Sequence, residues 1–453
     1  MAQSYQVPGV YSRPRSRAEG FPRVRTDVAG FVGIAGPRHV GEAVVVDDWQ
    51  SYVATFRTDE SGGPIPAVPG AMLDMAVRDY FANGGRRLWI VNVAPSVDTL
   101  GPQQLLNRML GIDNLTAWHG LELLLRQHEV ALVVLPDLDA ETVVEDESYE
   151  PPASQGDPCF RPCAGRGPSG VPEAHRALAT TSYGRAIPSE DMLWAQQYVL
   201  ARLERERWRW LAIFAPPSGL NLDRAIDWRK RLAGSTGGSD LGALYWPWLL
   251  VQDIPGAPEV LRSPVGAVAG VFAATDIAEG VHVAPANRPL AGVIGPETSI
   301  GHRENALAYD AGINVLRSFA GQGTLIWGAR TLLWQGPSDA TDPLSFVNAR
   351  RCLSAIARTC EVVGQPMVFE PNGAFLRIRM HQLMVDYLLR VFASGALKGD
   401  LPEQGFFVQV NSVEESPEGQ IECTIGVALA QPAEFIEFRI GRNGGVIERA
   451  EAA

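Results

Sequence analysis

The feature that most constrains this 453-residue chain is a recurring pair: an amphipathic helical stretch, then a short apolar run stopped by Gly or Pro. An apolar run without polar alternation reads as a strand buried on both faces. Helices alternating with such strands predict an α/β architecture with a largely parallel or mixed sheet. VAGFVGIAG (28–36) is the first such run, and Trp49, Tyr52, Val53 and Phe56 then fall at helical spacing. AMLDMAVRDYFANGG (71–85) predicts a helix with Met72, Met75, Ala76, Asp79 and Tyr80 on its stripe and a stop at Asn83-Gly84-Gly85. LWIVNV (88–93) follows as a strand. The pair recurs at 115–129 with 129–137, at 189–208 with 210–217, and at 221–234 with GALYWPWLLV (242–251).

Two segments break this rhythm. In residues 1–25, Pro8, Pro14 and Pro22 bar a continuous helix, and Arg13, Arg15, Arg17, Arg23 and Arg25 make the stretch basic. It reads as an extended arm that needs a partner to become ordered. Residues 139–188 are rich in Pro, Gly, Ser and acids, which places a variable surface insertion at about 138–190. The acids there, Asp137, Asp139, Glu141, Glu145, Asp146 and Glu147, read as a solvated run.

The last stretch has a different character. FVNARRCLSAIARTCEVVG (346–364) predicts a helix and PMVFEP (366–371) a short strand. Asn372 is positioned to cap a long helix through Leu397, with Leu376, Met380, Leu383, Tyr387, Leu388 and Val391 on its apolar stripe. FFVQV (406–410), QIECTIGVAL (420–429) and EFIEFRI (434–440) read as strands, the last two with a clear period of two. The predicted organisation is an N-terminal arm (1–25), an outer α/β domain (26–345) and a C-terminal α+β domain (346–453) with an antiparallel sheet and a C-terminal arm.

Composition narrows the function. The net charge is -12, the pI about 5.2, and Lys230 and Lys398 are the only lysines. An acidic chain argues against general nucleic-acid binding, although the Arg-rich arm keeps a nucleic-acid or surface-binding reading open. The N-terminus has no apolar h-region, and Leu241 to Val251, the longest apolar run, is too short for a bilayer. Five Cys in a chain this long make no disulfide framework, so a reducing, cytoplasmic place of synthesis fits. Walker A, H-E-x-x-H and G-x-S-x-G patterns are missing, and no G-x-G-x-x-G stands between a strand and a helix. Cys159, Cys163 and His175 suggest part of a zinc knuckle, but the fourth ligand is not obvious, Asp157 or His119 would have to be recruited, and two ordinary thiols are the plainer reading. Cys352, Cys360 and Cys423 read as apolar fillers, and His282 and His302 as loop residues without a catalytic partner. No cofactor, metal site or catalytic residue is expected. An α/β enzyme with an unrecognised site is the remaining rival, and a deep pocket lined by convergent polar groups would favour it.

The order of short motifs resembles the tail-sheath family of contractile phage tails and extracellular contractile injection systems. VPGVY (7–11), VAGFVGIAG (28–36), FANGGRRLWIVNV (81–93), YWPWL (245–249) and AVAGVFAATD (267–276) carry the resemblance. GVHVAPAN (280–287), AGINVLRSF (311–319), WGARTL (327–332), FVNARR (346–351), VFEPN (368–372), GALKGD (395–400) and PAEFIEFRI (432–440) extend it. The resemblance implies a non-enzymatic subunit that stacks as rings around an inner tube. Its partners would be copies of itself, possible sibling sheath proteins, the tube protein, and baseplate and cap proteins, with no nucleic acid and no membrane insertion. It implies inter-subunit arms at Val7, Pro8, Gly9, Val10 and Tyr11 and at Phe435, Ile436, Phe438 and Ile440. Arg377, Arg379, Arg390 and Lys398, on or just beyond the long helix, are the expected tube-facing charges.

Overall fold

The computed structural model describes residues 24–112, 118–144, 182–206, 209–234, 237–252, 258–336, 342–411 and 420–434. These form two compact units. The larger comprises Arg25–Ser354 and the segment from Ala430 onward, the smaller Ala355–Leu429.

The larger unit begins with β1 (Ala29–Gly33), β2 (Ala43–Val46), α1 (Trp49–Phe56), α2 (Leu73–Ala82) and β3 (Leu88–Asn92). Next come α3 (Pro102–Leu110), α4 (Gly120–Leu124), β4 (Leu132–Val134), β5 (Glu141–Val144), β6 (Ser182–Arg185) and α5 (Ser189–Glu204). β7 (Leu211–Phe214), α6 (Leu222–Gly234), β8 (Gly242–Trp246), β9 (Leu249–Val251), β10 (Val260–Arg262) and α7 (Val265–Ala278) follow. β11 (Arg288–Pro289), β12 (Val293–Pro296), α8 (His302–Asp310), β13 (Asn314–Phe319) and β14 (Gly323–Trp327) close the sheet. A nine-stranded sheet runs in the order β11-β14-β13-β8-β7-β4-β1-β3-β2. Its six central strands are parallel, and β2, β14 and β11 add antiparallel edges.

Both faces of the sheet are covered, which is why its strands lack polar alternation. Val32, Val91, Leu244 and Trp246 face one core with α3, α5 and α6. Phe31, Ile90, Tyr245 and Leu316 face the other with α1, α2 and α7. α7 is apolar nearly all round because it lies inside this second layer. Its Gly266 and Gly270, one turn apart, let it meet α2 backbone to backbone. A Cβ at either position would come within 2.4 Å of the carbonyl oxygen of Ala76 or Tyr80.

Several local expectations are corrected. In α2 the buried positions are Leu73, Ala76, Val77 and Tyr80, with Met72, Met75 and Asp79 only half-buried. The stretch 242–251 is two strands, β8 in the large sheet and β9 in a three-stranded sheet with β10 and β12, because the chain turns at the cis Trp246–Pro247 bond. In 115–129 the described helix is only Gly120–Leu124. Residues on both margins of the expected insertion (about 138–190) belong to the packed unit. Leu138 and Ala140 are buried, Glu141–Val144 pairs with Ser182–Arg185, and Ile187 is buried.

Asp137 and Asp139 are likewise not solvated, at 0% and 5% exposure. Asp137 accepts from the amides of Ile34 (2.6 Å) and Met72 (2.5 Å). It thus caps α2 from outside, where the helix lacks a capping side chain of its own. Asp139 pairs with Arg185 at 3.3 Å. Burial pushes both carboxyls up to about 7, against those partners.

The chain enters the smaller unit within α9 (Val347–Gly364). α10 (Ala374–Ala393), α11 (Pro402–Gly405), β15 (Phe406–Val410) and β16 (Cys423–Val427) follow. β15 and β16 form an antiparallel ribbon against α10. The strand expected at 366–371 is instead a 3-10 turn over Gln365–Met367, followed by Phe369 at φ 70. α10 starts from Gly373 with no side-chain cap, because the Asn372 amide oxygen accepts from Arg377 Nη1 at 2.6 Å. The buried stripe of α10 is Leu376, Arg377, Met384 and Leu388, while Met380, Leu383, Tyr387 and Val391 are half-buried.

Candidate functional site

Three buried arginines of the larger unit, Arg330, Arg350 and Arg351, pair with carboxylates far away in the chain. Arg330 follows β14, and its backbone is fixed by Asn314 of β13. Asn314 Oδ1 accepts from Arg330 N at 2.6 Å, and Asn314 Nδ2 donates to Arg330 O at 2.8 Å. This closeness is why residue 328 is glycine: a Cβ there would lie 2.9 Å from Asn314 Oδ1. The Arg330 guanidinium lies 3.5 Å from the ring centroid of Trp334, 4.2 Å from Phe346 and 5.0 Å from Tyr309. Cation–π contacts of this kind are strongest when dry, and Arg330 is only 2% exposed. Its Nη2 pairs with the carboxylate of Glu434, which also accepts from Tyr309 Oη at 2.7 Å. Burial, then the bond to Glu434, pushes the Tyr309 hydroxyl up to about 12.

Arg350 and Arg351 open α9. Arg350 pairs with Asp240 at 2.8 Å, both side chains almost fully buried. Arg351 holds Asp276 of α7 through two bonds of 2.9 and 2.7 Å. Its Nη2 also donates to the Thr26 carbonyl at 2.9 Å. Next to Thr26, Arg25 and Asp27 form a two-bond pair, and Tyr80 Oη lies 3.1 Å from the Asp27 carbonyl. The chain therefore enters the larger unit at a point fixed by α9 and α7, and re-enters it at Glu434 in the Arg330 cage. Phe346, Arg350, Arg351, Asp276, Asn314, Arg330 and Glu434 sit inside the family-like motifs FVNARR, AVAGVFAATD, AGINVLRSF, WGARTL and PAEFIEFRI, whose order does not name their partners. A signal was available: arginine in an apolar motif needs a buried carboxylate somewhere.

The expected arm residues Val7, Pro8, Gly9, Val10, Tyr11, Phe435, Ile436, Phe438 and Ile440 lie outside the described residues, as do Cys159, Cys163 and His175. Of the expected tube-facing charges, Arg377 departs from the expectation. It is 7% exposed and turned inward, with Nε on the Asn411 carbonyl at 2.9 Å. Arg379, Arg390 and Lys398 are exposed, and Arg379 bonds to Glu370 at 2.7 and 3.1 Å. Phe375 and Ile378 are exposed on the same helix, and Phe369 is fully exposed in the turn before it. Among the described residues, the β15–β16 ribbon has no third strand, and Leu397 bridges Leu429 just beyond β16.

An open cleft of about 550 Å³ lies at the carboxyl ends of β7 and β8, where α/β folds bind ligands. Asn221, Asp223, Trp246, Glu297 and Glu304 line it together with apolar and backbone groups. Two of its three acids already serve the chain: Glu297 accepts from Gly219 N at 2.9 Å and Glu304 from Gly301 N at 2.5 Å. None of its lining residues is His, Cys, Lys or Arg. Among the described residues, no group of three or more His, Cys, Asp or Glu is placed to hold a metal, and no helix is long and apolar enough to cross a membrane.

The fold is that of contractile-sheath proteins. The anti-feeding prophage helical sheath in its contracted state matches with a TM-score of 0.64 at 23% identity, over 97% of this chain and 100% of that one. A chain of the contracted anti-feeding prophage baseplate matches at 0.67 and 21%, over 98% and 100%. The contracted sheath complex of PVC, an extracellular contractile injection system, matches at 0.61 and 21%, over 98% and 99%. Within the chain, residues 188–332 match the family model of the phage tail sheath protein central domain. No curated protein sequence matches the chain.

Proposed function

We propose that this chain is the structural subunit of a contractile sheath, polymerising as stacked rings around an inner tube and shortening to drive the tube through a target envelope. The observation that carries the reading is the sheath fold over nearly the whole chain, with the sheath central domain inside it. Two physical features support it. Among the described residues the β15–β16 ribbon has no third strand, which fits a sheet that a neighbour's extended segment extends. Open edges otherwise invite uncontrolled pairing. Both chain passages beside the arms are fixed by buried arginines, so the arms start from defined points.

In this reading, Val7–Tyr11 and Phe435–Ile440 are the inter-subunit strands. The exposed charges Arg379, Arg390 and Lys398, beside Phe375 and Ile378, form the tube-facing surface. Copies of the chain, the tube, the baseplate and the cap are its partners within a phage tail or tail-like particle. The role is mechanical: energy is stored as the difference between two packings of rigid units, and no catalytic step is assigned.

The test is negative-stain electron microscopy of the purified chain at rising concentration, with and without its cognate tube protein, beside a variant lacking residues 1–20. Hollow striated cylinders from the full chain, absent from the truncated one, are expected. Monodisperse globular particles at every concentration, even with tube protein present, would overturn the reading.

A further inference from the structure

Arg330 is unusual among the buried cations described above. Three aromatic rings surround its guanidinium, its Nε and Nη1 are buried without an acceptor, and its carboxylate among the described residues is that of Glu434. A guanidinium in so dry a place depends on its counter-charge, because leaving it unpaired costs more than the pair itself contributes. Glu434 is therefore held firmly. It is also the last residue before the segment Phe435–Ile440.

We propose that the Arg330 cage is a lock on the C-terminal arm. It fixes where the arm departs and so delivers it in register to a neighbouring copy, which makes Arg330 a positioning residue for assembly. The inference rests on the sheath reading above. Glu434 directly precedes the segment Phe435–Ile440, so a carboxylate held in the cage sets where the next residue starts. If the carboxylate leaves the cage, that start is no longer set and the arm's effective concentration at its site falls.

The experiment compares wild type, Glu434→Gln and the double variant Arg330→Met/Glu434→Gln. Glu434→Gln alone leaves a buried charge unpaired and lowers stability. The double variant removes both charges and fills the cage with a flexible apolar side chain, so folding should recover. Thermal unfolding of the free subunit reports folding, and pelleting with negative-stain microscopy reports the critical concentration for cylinders. The lock predicts a double variant with wild-type unfolding but a critical concentration raised roughly tenfold or more. A double variant that folds and assembles like wild type would overturn it. If the double variant does not fold, Glu434→Asp keeps the charges while shortening the reach. It should raise the critical concentration by a smaller factor, and a wild-type value there would also overturn the lock. Wild-type protein that never forms cylinders, with or without tube protein, would refute the sheath reading itself.

Discussion

Replacing Asp276 by Ala removes both charge-assisted bonds to Arg351 at a place where the two side chains are 1% and 5% exposed. The guanidinium keeps the Thr26 carbonyl and a Phe272 ring 5.1 Å away, neither of which supplies a charge. Breaking a buried pair from one side costs about 3–5 kcal/mol, most of it the penalty of the stranded charge. At roughly 2 °C per kcal/mol for a large unit, its melting transition should fall by about 6–10 °C. The double variant Arg351→Met/Asp276→Ala strands no charge and should recover most of the loss. Scanning calorimetry of wild type and the two variants is the assay. An Asp276→Ala protein melting within about 2 °C of wild type, which is roughly 1 kcal/mol, would refute the argument that this pair is dry and mutually dependent.

Other outcomes follow from the same structure. Asp137 and Asp139 have carboxyls raised to about 7, so between their unfolded values near 4 and pH 7 the folded chain holds more protons than the unfolded one. Stability should therefore fall as pH rises through that window, by no more than about 1.4 kcal/mol per pH unit for each group. Asp139→Asn should flatten the slope in melting curves taken from pH 5 to 7.5. Gly270→Val puts a side chain where a Cβ already lies 2.4 Å from the Tyr80 carbonyl, and should cost about 3 kcal/mol or more by urea unfolding. Reversing Arg379 and Lys398 to Glu should leave melting nearly unchanged, as exposed charges contribute little. It should, however, lower the yield of sheath on tube in pelleting assays. Arg377→Glu, by contrast, should destabilise the smaller unit, since its guanidinium is buried on the Asn411 carbonyl.

The sequence by itself determined the layered architecture. Helical spacing at Trp49–Phe56 and the unbroken apolar runs at 28–36, 88–93 and 210–217 demanded doubly covered strands, and these form the parallel centre of the sheet. The order of short motifs was equally legible, and pointed to the sheath fold that the structure has. What periodicity cannot carry is pairing across long separations. Arg351 meets Asp276 75 residues away, Asp137 meets Ile34 103 away, and Arg330 meets Glu434 104 away. Nothing in the spacing around any of these residues names its partner, so acids in a Pro-rich stretch read as solvated and Arg377 read as surface. The same limit hid the break in 242–251, where an apolar run continues through two strands that belong to different sheets. Local spacing decides which face of an element is apolar. Only the assembled fold decides which charges that face traps, and hence where Thr26 and Glu434 are tied down.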